Sequence, residues 1–126
     1  MDHHEAPRVL LGNLPPIMVI GMARVLTEDG AEVIGQEHHP SAIVSTAGRM
    51  QPDVVVLDIS TEGSRELGSR VQKVSPDTKV IFCDSREGAM EVLDPGADDA
   101  RLLVVDASEG LRMELATSRQ RHQVKE

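Results

Sequence analysis

Residues 52–60 read PDVVVLDIS and residues 75–83 read SPDTKVIFC. In each, a turn-forming Pro-Asp leads into a run that is almost wholly apolar and rich in Val and Ile. A strand of that kind has to be covered on both faces, as in a parallel sheet with helices on either side. The first run ends on Asp58, where apolar character gives out. An aspartate there is either the start of chemistry or a turn residue, and its neighbours decide which.

Working outward, similar short runs occur at 8–11 (RVLL), 31–35 (AEVIG) and 101–105 (RLLVV). Segments of helical period separate them. In 15–28, Met18, Met22, Val25 and Leu26 share one stripe; in 41–51, Ile43, Val44, Ala47 and Met50 do. In 62–74 the stripe is Leu67, Val71 and Val74, and in 108–118 it is Leu111 and Leu115 behind Ser108 as N-cap. EDG (28–30), QPD (51–53) and SPDTK (75–79) supply turns between helix and strand. Strand alternating with helix predicts an α/β fold of flavodoxin-like (βα)5 type: a doubly wound, five-stranded parallel sheet. The fourth helix is expected to be shortened, because SREGAMEVLDPGADD (85–99) has little room before Pro95 and Gly96 stop it. The domain spans residues 8–116, with an N-terminal tail at 1–7 and a polar C-terminal tail or linker at 117–126.

Composition narrows the functions. The 126 residues carry a net charge of −8, which repels nucleic acid, and RQRH (119–122) is too short a basic stretch to bind it alone. With no Trp or Tyr and only Phe82, the chain has little to stack on a flat ligand. The single Cys83 excludes an internal disulfide and suits a reducing cytoplasm. No apolar run is long enough to span a membrane, and MDHHEAPR does not read as a signal peptide. The histidine pairs at 3–4 and 38–39 lack carboxylate or Cys at ligand spacing, so no metal site is expected.

The strand ends carry GNLPP (12–16), DIS (58–60), DSR (84–86) and VDAS (105–108). Together with RVLLGNLPPIMVIGMARVL, EVIGQ, QPDVVVLDIS, SPDTKVI and DASEGL, they resemble the receiver domain of two-component response regulators of the NarL/FixJ type. The resemblance implies a phosphoryl-accepting Asp58, an acidic metal-binding pair, a Ser or Thr after the fourth strand and a Lys after the fifth. A dianion reaching a carboxylate needs that metal and that ammonium. The sequence departs from this set at every helper: Asn13 and Leu14 stand for the acidic pair, Asp84 for the hydroxyl with Ser85 one residue late, and Val105 for the lysine. The pocket is therefore read as degenerate, Asp58 as a strand-end cap and Mg²⁺ as unbound, with no cofactor.

The expected role is that of a phosphorylation-independent, non-catalytic signalling module. No nucleophile–base pair or phosphate loop argues for an enzyme. Ile17, Val19 and Ile20 fall off the core stripe of the first helix and mark a contact face for a homodimer or partner protein. The resemblance leaves two settings open, a stand-alone receiver or the regulatory half of a transcriptional regulator. Two alternatives remain. One is a small-molecule ligand in the strand-end crevice. GAEVIGQEHHPSAIVSTAGRMQPDVVVLDIS also resembles the middle of cobalamin-binding domains, although the family's cobalt-ligating His is absent from GNLPPIMVIG.

Overall fold

A computed structural model describes residues 6–84, 89–103 and 107–124. The strands are β1 (Arg8–Gly12), β2 (Glu32–Glu37), β3 (Val54–Asp58), β4 (Lys79–Cys83), β5 (Met90–Leu93) and β6 (Arg101–Leu103); the helices are α1 (Pro16–Glu28), α2 (Pro40–Met50), α3 (Ser64–Val74) and α4 (Ala107–Val124). One sheet orders the strands β2-β1-β3-β4-β5-β6. The pairs β1–β2, β1–β3 and β3–β4 are parallel, whereas β4–β5 and β5–β6 are antiparallel. The chain is thus α/β with a mostly parallel sheet.

Strand alternation sorts the core into two layers. Val9, Leu11, Val54, Val56, Ile81 and Cys83 face Met22 and Leu26 of α1 and Leu111 and Leu115 of α4. Leu10, Val55, Leu57, Val80 and Phe82 face Ile43 and Ala47 of α2 and Leu67 and Val71 of α3. Every residue of β3 and β4 is buried, as their unbroken apolar runs require. Val74 is 40% exposed despite its place on the α3 stripe, because it is the last residue of the helix. The last helix runs on through Val124.

The expectation of five parallel strands with a short fourth helix is corrected at one place. Residues 90–93 form a strand whose exposure alternates, with Met90 and Val92 buried and Glu91 and Leu93 half-buried. Period-two alternation across Met-Glu-Val-Leu outweighs helix formation in a segment too short for a stable helix. Pro95 and Gly96 do not stop a helix. They occupy the two central positions of a turn closed by Ala97 N–H to Asp94 C=O at 3.0 Å, with Gly96 at φ +80°. Pro followed by a positive-φ Gly is the pattern of a type II turn, and it joins β5 to β6. Two antiparallel steps restore direction, so β6 runs parallel to β4 but one place further out than a fifth parallel strand would.

Candidate functional site

Asp58 closes β3 and is 4% exposed. One carboxylate oxygen, Oδ1, accepts the backbone N–H of Ser60 at 3.0 Å and the Ser60 hydroxyl at 2.7 Å. Its carbonyl accepts the Ser64 hydroxyl at 2.5 Å and the Thr61 N–H at 3.3 Å. The residue organises the turn from β3 into α3 with every polar group that these bonds use. At the strand end, then, the aspartate acts as a turn residue.

Asn13 holds three strand ends together. Its N–H donates to the Glu37 carbonyl at 3.1 Å, its Oδ1 accepts the Asp58 N–H at 2.9 Å, and its Nδ2 donates to the Ser64 hydroxyl at 3.1 Å. A carboxylate could not make that last donation, so an amide suits this position for structural reasons. Leu14 is buried at 3% in the layer under α1 and offers no ligand atom. Asp84 follows β4 half-buried, its N–H bonded to the Ala89 carbonyl at 3.4 Å. Ser85 and Val105 lie outside the described residues. Cys83 pairs in register with Asp58. Burial first, and then the Asp58 charge, push its thiol up to about 12, so it stays protonated at neutral pH.

A buried cation does exist, but at the opposite end of the sheet. Lys79 opens β4, 1% exposed, where the register pairs it with Val54, the first residue of the strand that Asp58 ends. Its Nζ donates to Glu114 Oε1 at 2.8 Å and to the Glu114 carbonyl at 3.2 Å. Arg101 Nη2 reaches the same Oε1 at 3.0 Å, while its Nε binds Asp94 at 2.6 Å. The sequence reading missed this cluster. Its one signal was a lysine heading a strand expected to be buried on both faces.

Two depressions open at the carboxyl ends of β1–β3. A cleft of about 530 Å³ lies between residues 38–40 and 61–70 and reaches down to Asn13 and Ser64. A groove of about 340 Å³ runs beside α1 over Leu14, Pro16, Val19 and Ile20. His38 lines both. On α1 itself, Ile17 is 78% and Ile20 70% exposed, whereas Val19 is half-buried against the core. Among the described residues, no three His, Cys, Asp or Glu side chains stand where they would hold a metal ion. No described helix is long and apolar enough to cross a membrane. The sequence matches no known family model, and no curated protein is significantly similar to it.

Proposed function

We propose that this chain is a receiver-like regulatory module that works by protein contact and without phosphotransfer. The observation that carries the reading is the commitment of the Asp58 carboxylate to Ser60, beside an Asn13 amide already spent on Asp58 and Ser64. A phosphoryl group carried on Oδ1 would have to break the turn at Ser60, and the buried Lys79 is held by Glu114 far along the sheet. The strand order β2-β1-β3-β4, all parallel, supports a flavodoxin-like ancestry for the first four strands. Where the receiver resemblance calls for a fourth helix to carry the output, this chain has a β-hairpin. The contact face is the outer side of α1, where Ile17 and Ile20 stand in solvent beside the apolar groove.

Intact mass after incubation with Mg²⁺ and acetyl phosphate tests the first half, with Asp58→Ala as control. No added phosphoryl group is expected; an Asp58-dependent gain of one would sink the reading. Sedimentation velocity tests the second. The native chain is expected to dimerise and Ile17→Glu with Ile20→Glu to return it to monomer, whereas a native chain that stays monomeric removes the homodimer. A small-molecule input is the second reading, favoured by the cleft between residues 38–40 and 61–70.

A further inference from the structure

That cleft lies on the α2–α3 side of the sheet and shares only His38 with the groove beside α1. Its volume falls within the usual range of small-molecule sites, roughly 300–1,000 Å³. One wall is the entry to α2, with His38 and His39 set edge to face at 6.2 Å between ring centroids. The other is the entry and first turns of α3, carrying Glu62, Glu66, Leu67 and Arg70. Glu62, Glu66 and Arg70 form no ion pair among the described residues, although Glu66 and Arg70 are one turn apart on the same helix. Three exposed charged side chains, of both signs, therefore border one cleft.

The charges also divide the possible ligands. A simple anion would gain Arg70, the two imidazoles and the start of α2, whose first turn holds no acid and has no side-chain cap. It would then lie against Glu62 and Glu66. A simple cation would gain the two glutamates and face Arg70. A molecule bearing both charges meets a complement to each, and Leu67 also lines the cleft. We infer that the cleft binds a small zwitterion of the α-amino-acid class. Its carboxylate lies toward Arg70 and the entry to α2, and its ammonium toward Glu62 and Glu66. This inference is independent of the dimer proposed for α1.

The test is a titration of the ¹⁵N-labelled chain with each of the standard free L-amino acids, followed by amide chemical shifts. Sodium acetate and ethylamine serve as the single-charge halves. At least one amino acid is expected to move the amides of Ser41, Ala42 and Gly63–Glu66 saturably, with neither half saturating over the same range. Glu66→Gln and Arg70→Gln, both at exposed positions, are each expected to weaken binding about tenfold or more, as loss of one charge-assisted contact should. Ile17→Glu, on the other face, should leave the titration unchanged, which keeps this result separate from that of the dimer. The inference is overturned if no amino acid gives a saturable shift, if acetate alone binds as well, or if both α3 variants bind with native affinity.

Discussion

A lysine that is 1% exposed has to be neutralised where it lies, and Lys79 depends on Glu114 for that. Burial alone would raise the Glu114 carboxyl. Hydrogen bonds from Arg101 and Lys79, followed by their charges, outweigh it and hold the group below its ordinary 4.5. A depressed folded-state value contributes stability that is fully present above 4.5 and is lost as pH falls through the lower value. Acid unfolding should accordingly be shallower in Glu114→Gln than in the native chain, once both are referred to their neutral-pH stability. Truncating only one partner costs more than removing both. Glu114→Ala strands the buried ammonium and should cost about 3–5 kcal/mol, whereas Lys79→Met with Glu114→Leu should be neutral or stabilising. Urea unfolding followed by far-UV circular dichroism reads all three. If Glu114→Ala proves silent, Lys79 has another partner and this account fails. At this scale the sequence shows only a lysine at the head of a run expected to be buried, and no partner for it. Glu114 is not legible in that role, because it is 35 residues away and its position depends on how α4 docks.

Gly68 shows why α3 lies so close to the sheet. A Cβ there would come 2.6 Å from the tip of the Phe82 ring, a rigid group that cannot swing aside. Alanine gains up to about 1 kcal/mol of helix propensity at an interior glycine. Overpacking typically costs about 1–3 kcal/mol, so Gly68→Ala should be destabilising on balance. The same change at Gly21 of α1, where a Cβ meets nothing within 4 Å, should stabilise by up to about 1 kcal/mol. In a Phe82→Leu background the cost of Gly68→Ala should shrink or vanish, and an unchanged cost would place the clash elsewhere. Elements like α3 were legible because Leu67 and Val71 mark one helical face and Thr78-Lys79 mark the strand that follows. Residues 90–96 were misread for a physical reason. Over only four residues, Met-Glu-Val-Leu fits a period of two about as well as one turn of helix, and Pro-Gly serves equally as helix stop and hairpin turn.

Across the whole molecule, the parallel pairing of the first four strands follows from alternation of strand and helix, and the two core layers follow from the parity of β1, β3 and β4. The far side of the sheet does not follow from local pattern. The position of β6 depends on β5 inserting beside β4, a pairing set by the register of Cys83 with Met90 and Val80 with Leu93. At the candidate site the sequence shows an amide at Asn13 and an apolar side chain at Leu14, but not the bonds of Asn13 to Glu37, Asp58 and Ser64. The cleft was not legible, since residues 38–40 and 61–70, far apart in the sequence, line it together.

The two halves of the sheet differ in how far apart their paired strands lie along the chain. Joining β1 to β3 brings Val9 to Val54 across three other elements, whereas β4, β5 and β6 are consecutive in the chain and pair antiparallel with one another in turn. Closing a long loop must precede the contacts that reward it, so non-local pairing is slow and hairpins form within about 1–10 μs. Stopped-flow circular dichroism of Val92→Ala and Val9→Ala would show whether the order of events follows. Val92→Ala should slow folding by more of its stability loss than Val9→Ala does, and the reverse would place the nucleus in the parallel half. The antiparallel strand at 90–93 thereby gives the C-terminal half of the sheet a quick local start, against which the slower parallel strands can assemble.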